Sequence, residues 1–176
     1  MALFYTIGHS TRSLAELLDI LEIHEIRVLV DVRAIPRSRT NPQFNSDALP
    51  GPLGERGIQY LHLAELGGRR GRQRSVDRSP NTFWQNQSFR NFADYAMTEP
   101  FQQGFTRLKR LGEAKRCAIM CSEAVWWRCH RRIIADHLIF AGESVVHLFK
   151  RDKEEGAKPT PAARPFGDGK IVYDLE

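Results

Sequence analysis

The sequence predicts an α/β fold: three layers, with a mostly parallel sheet flanked by helices. Two observations carry this. Short continuous apolar runs recur along the chain at Leu3–Ile7, Val28–Val32 and Cys117–Met120, the pattern of strands buried on both faces. Between them lie segments whose apolar residues recur at helical spacing. A length of 176 residues with 41% apolar content is enough to bury a core without disulfide staples.

The elements follow in order. Leu3-Phe4-Tyr5-Thr6-Ile7 reads as a buried strand that Gly8-His9-Ser10 turns out of the sheet. A helix follows from about Ser13, with Leu14, Leu17, Leu18 and Leu21 on one stripe and Ser13 and Glu16 spaced as a capping box. Val28–Val32 is a second strand. Residues Arg37 to Pro52 read as irregular, and Pro50-Gly51-Pro52 stands against an unbroken helix over Asp47–Arg56. Ile58–Leu63 gives a third strand. Gly67 to Asn81, with Arg69, Arg70, Arg72, Arg74 and Arg78 among turn residues, reads as an exposed mobile loop. Two helices are expected over Phe89–Met97 and Phe101–Leu111, Pro100 opening the second. Cys117–Met120 is a fourth strand, His130–Ala141 a helix closed by Gly142, and Ser144–Phe149 a fifth strand. Residues 1–150 are thus expected to form a single α/β domain. Residues 151–176 read as a charged, Pro/Gly-containing C-terminal tail in which Ile171-Val172-Tyr173 docks as an edge strand.

Composition narrows the partners. The formal charge is +5, and the cations are 20 Arg against 6 Lys. Arginine presents a planar fork suited to phosphate, so the excess points to nucleic acid or a phosphorylated small molecule; a bias toward Arg codons is the plain alternative. No apolar run is long enough to span a bilayer, so no membrane partner is expected. Met1–Ser10 has no basic stretch followed by a long apolar run, and the odd count of three cysteines suggests reduced thiols, both expected of a cytoplasmic protein.

In a parallel sheet, ligands sit beyond the carboxyl ends of the strands. Three chemistry-bearing segments fall there: Gly8-His9-Ser10, Asp31-Val32-Arg33 and Cys121-Ser122-Glu123, the last continuing through Trp126-Trp127-Arg128-Cys129-His130-Arg131. Gly8 is expected to let the backbone approach a ligand, His9 to act as a base, and Ser10 to contact substrate or cap the helix. Asp31 and Arg33 lie on one side of their strand and can pair. Arg37, Arg128 and Arg131 are candidate anion contacts. Cys121, beside a helix N-terminus and arginines, is a candidate thiolate, with Glu123, Cys129 and His130 as further catalytic candidates; small buried cysteines are the plain alternative. Of the two adjacent indoles, which cannot both be buried on one face, Trp126 is the candidate lid or stacking surface. Cys117, Cys121, Cys129 and His130 are spaced C-x3-C-x7-C-H, which matches no common zinc knuckle, so neither a metal nor a cofactor is expected.

Thr6-Ile7-Gly8-His9-Ser10-Thr11, Leu29-Val30-Asp31-Val32-Arg33, Pro36-Arg37-Ser38 with Asn41-Pro42-Gln43-Phe44-Asn45, Leu66-Gly67-Gly68 and Cys121-Ser122-Glu123 to Arg128-Cys129-His130-Arg131 resemble the family catalogued as domain of unknown function 488. The resemblance runs to Leu148 and implies an α/β fold with a site built from these motifs. A weaker architectural similarity is to rhodanese-like domains, in which Asp-Val-Arg also ends a strand and a later strand delivers a cysteine to a helix-opening loop. Here that loop holds no glycine, and Arg128 stands seven residues after Cys121.

Three functions stay open on these grounds. The first is an enzyme acting on a nucleic-acid component or another phosphate-bearing anion. The second is a sulfurtransferase- or phosphatase-like enzyme with Cys121 as nucleophile. The third is a non-catalytic module that binds anions or nucleic acid.

Overall fold

A computed structural model of the chain describes residues 1–74 and 77–175. Its main sheet holds β1 (Leu3–Gly8), β2 (Val28–Asp31), β3 (Gln59–His62), β4 (Cys117–Cys121), β5 (Ser144–Lys150) and β6 (Lys153–Gly156). Their order is β3-β2-β4-β1-β5-β6. The first five run parallel and β6 pairs antiparallel with β5. The helices are α1 (Leu14–Ile23), α2 (Pro50–Glu55), α3 (Gln87–Tyr95), α4 (Glu99–Ala114) and α5 (Arg131–Phe140).

The pleat divides the core into two. Side chains of one parity, including Phe4, Val28, Val30, Cys117, Ile119 and Cys121, pack with residues of α3, α4 and α5. Those of the other parity, including Tyr5, Ile7, Leu29, Ala118 and Met120, pack with α1 and α2. Every strand residue of β2 and β4 is buried, which is why these segments read as unbroken apolar runs. The result is the expected three-layer α/β arrangement.

Local differences from expectation have local causes. α2 begins at Pro50 with Pro52 in its first turn. The N–H groups that proline lacks have no intrahelical acceptor there, so the prolines open the helix instead of breaking it. At α1 the Ser13 side chain accepts from the Glu16 amide, but Glu16 Oε1 accepts from Arg12 Nη1 at 2.7 Å instead of closing the box. The arginine-rich stretch from Gly67 is anchored at both described ends. Arg70 lies over the Tyr95 ring, 3.8 Å from its centre, and donates to the Gly67 and Ala64 carbonyls. Ser79 and Asn81 both donate to Asp94 on α3. Ser75 and Val76, in the middle of that stretch, lie outside the described residues.

The C-terminal segment carries structure of its own. β6 lies at the edge of the main sheet, next to β5. Ile171–Tyr173 (β8) pairs with Ala163–Pro165 (β7) in a separate two-stranded hairpin and not with the main sheet. β8 is buried: the Tyr173 hydroxyl donates to Asp136 on α5, and its amide donates to Asn81. Among the described residues no helix is long and apolar enough to cross a membrane.

Candidate functional site

β1 and β4 are neighbours whose connections leave to opposite faces of the sheet. The chain leaves β1 through α1, which packs with Tyr5 and Ile7, and leaves β4 through α5, which packs with Phe4 and Cys121. Such a switch of face opens a crevice at the strand ends. Backbone bonds continue the sheet into it: His9 N to Cys121 O at 2.9 Å, Ser10 N to Ser122 O at 3.0 Å, and Val32 N to Met120 O at 2.9 Å. The three segments chosen from sequence are thereby held side by side. A cleft of about 750 Å³ opens over them.

Of the candidates, His9, Ser10, Arg33, Arg37, Cys121, Glu123, Arg128, Cys129 and His130 line this cleft. Gly8, Asp31, Trp126 and Arg131 do not. Each of those four has a different job.

A Cβ on Gly8 would lie 1.7 Å from the Glu123 carbonyl oxygen, so the missing side chain admits the loop after β4 and not a ligand. Asp31 is wholly buried beneath Arg33, whose Nε and Nη2 donate to its carboxylate at 2.9 and 2.7 Å. The alternation argument for that pair holds. Trp126 turns its ring away and stacks on His147 of β5, centroids 4.7 Å apart and planes 8° apart, while Nε1 donates to Glu155. Arg131 is 1% exposed and faces inward, donating to Cys129 Sγ, Thr6 Oγ1 and the Glu123 carbonyl.

His9 is almost fully buried and stacked on Phe44. Its Nδ1 donates to the Ser10 carbonyl at 2.9 Å, which leaves Nε2 to accept from Arg33 Nη1 at 3.2 Å. Burial, with the Arg33 charge beside it, lowers its pKa. Both nitrogens are engaged in these hydrogen bonds, so the ring braces Arg33 at the cleft wall.

The thiol expectation also changes. A hydrogen bond to Cys129 and burial push Cys121 up to about 12. Burial opposes ionisation of Cys129 as well, but the hydrogen bond from Cys121 and the Arg131 charge outweigh it and hold that thiol down to about 6. The residue that feels the positive potential before α5 is Cys129, not Cys121, because Arg131 folds back onto Cys129. Cys117 is inert by comparison: burial alone raises it to about 12.

His130 stands immediately before α5. Its Nε2 donates to the Val32 carbonyl at 2.8 Å, and Phe92 packs edge-on against the ring. Gly68 covers the ring at Nδ1, where a Cβ would come within 2.5 Å.

Sequence reasoning missed part of the wall. Ser38, Asn41, Asn86, Ser88 and Gly68 also line the cleft. The Pro36-Arg37-Ser38, Asn41–Asn45 and Gly67-Gly68 motifs carried that signal, since they follow the carboxyl ends of β2 and β3, where a parallel sheet places its ligands. Asn86 caps α3, its side chain accepting from the Ser88 and Phe89 amides.

A family model described as "Domain of unknown function DUF488" matches residues 13–138. The chain belongs to the DUF488 family. Within the DUF488 match lie Asp31–Arg33, Arg37–Asn45, Gly67-Gly68 and Cys121–Arg131, so most of the cleft wall falls inside it and Gly8–Ser10 just precedes it. No curated protein and no solved structure matches this DUF488 chain.

Proposed function

We propose that this chain is an enzyme acting on a nucleic-acid component or another phosphate-bearing anion bound in the cleft over β1, β2 and β4. One observation carries the reading. Arg37, Arg69 and Arg128 all line the cleft, and among the described residues none of them is ion-paired. Among the described residues, Glu123 is the one carboxylate lining the cleft beside them. Unpaired guanidinium groups converging on a concave, hydroxyl- and amide-lined surface suit phosphate oxygens, which accept from their forked N–H donors. Arg33 is not counted, because Asp31 already neutralises it.

The test is a fluorescence titration with single-stranded oligonucleotides and with a nucleoside triphosphate, each at two salt concentrations. Binding that weakens with salt, and weakens at least about tenfold in Arg37→Gln/Arg128→Gln, is expected, since each lost charge-assisted contact removes about 1–2 kcal/mol. Trp126→Ala serves as the control and should bind like the parent. Absence of binding, or binding indifferent to salt, removes phosphate ligands from consideration.

A further inference from the structure

The floor of the cleft brings three donor atoms together. Cys121 Sγ lies 3.9 Å and Cys129 Sγ 3.6 Å from His130 Nδ1, and all three atoms are within 4.8 Å of one another. In a tetrahedral site with Zn–S about 2.3 Å and Zn–N about 2.0 Å, neighbouring ligand atoms stand about 3.5–3.8 Å apart. The sulfur–nitrogen separations here match that spacing to within a few tenths of an ångström.

The imidazole is set for coordination. A carbonyl can only accept, so the bond to Val32 O fixes the proton on Nε2 and leaves the Nδ1 lone pair facing both sulfurs. A second hydrogen bond of this kind, from the far ring nitrogen to a backbone carbonyl, orients metal-ligating histidines. The Cβ that Gly68 lacks would lie 2.5 Å from Nδ1, 2.8 Å from Cε1 and 2.9 Å from Cγ. Those near-equal distances place it over the ring face, so Gly68 steadies the ring without blocking the in-plane lone pair. Cys129 Sγ accepts from the Arg131 backbone N–H and Nε, which leaves the sulfur oriented and still able to donate to an ion.

We propose that Cys121, Cys129 and His130 bind a divalent zinc-type transition-metal ion, with a fourth position open to the cleft. The donor set of two sulfurs and one imidazole suits zinc and its neighbours and not magnesium or calcium. All three residues line the cleft, and among the described residues no further His, Cys, Asp or Glu joins the cluster. That is the pattern of a reactive site with a water or substrate in the last position, not of a closed structural one. The C-x3-C-x7-C-H reading failed as a zinc motif because it included Cys117. That residue is four positions up β4 from Cys121, about 13 Å at the usual strand rise of about 3.3 Å per residue. Dropping it leaves C-x7-C-H, whose spacing spans the turn between β4 and α5. On binding, the ion takes the place of the thiol protons, which pass to solvent.

The inference goes beyond the phosphate reading and stands without it: the ion can be measured with no ligand present, so the two fail separately. The experiment adds Co²⁺ to the full chain, stripped of metal and kept reduced. A thiolate-to-cobalt charge-transfer band with strong visible d–d absorption is expected, and Zn²⁺ should abolish both. Cys117→Ala should keep the spectrum, whereas Cys121→Ser and His130→Ala, folded by circular dichroism, should bind Co²⁺ at least about tenfold more weakly. A wild-type protein with no charge-transfer band, or with the weak spectrum of six-coordinate oxygen-bound cobalt, overturns the proposal without recourse to any variant. So does an unchanged spectrum in Cys121→Ser.

Discussion

Arg131 Nε donates to Cys129 Sγ at 3.3 Å, and among the described residues no carboxylate ion-pairs with that guanidinium. A charge that is 1% exposed needs compensation. The neighbours on offer are a thiol, the Thr6 hydroxyl and the Glu123 carbonyl. Only the thiol can become an anion. Cys129→Ser therefore removes the one group able to neutralise the cation, and should cost about 3 kcal/mol in urea unfolding. Cys117→Ala, which loses a methyl-sized volume of apolar packing, should cost about 1 kcal/mol. Equal losses in the two variants would show that Cys129 is only filling space.

At Gly8 the constraint is backbone against backbone. The Cβ that alanine would add meets the Glu123 carbonyl oxygen at 1.7 Å and its carbon at 2.6 Å. Neither is the free end of a flexible side chain. Gly8→Ala must push the loop after β4 outward and break the bond from Arg131 to that same carbonyl. The expected loss is more than about 3 kcal/mol, the upper end for an overpacked interior. Soluble expression and thermal unfolding check it, and a variant within about 1 kcal/mol of the parent would mean that the loop has room to move.

Two buried histidines make stability depend on pH. Burial depresses His137, among Phe101 and Phe105, to about 4, and depresses His147, beside Arg131, to about 3. An unfolded histidine titrates near about 6.5. Between these values the unfolded chain holds more protons than the native one, so stability is present above about pH 6.5 and is lost as pH falls toward 4. Each residue contributes a slope of up to about 1.4 kcal/mol per pH unit in its window. Urea midpoints at pH 7 and pH 5 should therefore differ, and His137→Leu should flatten the difference. A midpoint unchanged across this range would mean that both rings find compensation when charged.

The strands were legible because burial on both faces forces unbroken apolar runs, and no other pattern competes over five residues. Their ends marked the cleft because parallel topology carries the loops that follow them to one side. What failed to be legible depended on which way a side chain turns once the chain is packed. Arg128 and Arg131 are three residues apart at the entry to α5, yet Arg131 is buried beneath the cleft and Arg128 lines it. Trp126 packs on the far side, against His147, for the same reason. In the C-terminal segment, Lys153–Gly156 is exposed throughout and joins the sheet through backbone bonds that sequence pattern does not record.

That last strand has a consequence for the molecule in company. A parallel sheet ending at β5 would leave the backbone edge of Val145, Val146 and Leu148 unpaired, a ready template for another chain. β6 covers it with four exposed residues, Lys153, Glu154, Glu155 and Gly156, which pair inward and present charge outward. The opposite border is the four-residue β3, with Gln59 exposed. Neither border offers a long apolar ladder, so crowded copies have no flat seam along which to fuse into a continuous sheet.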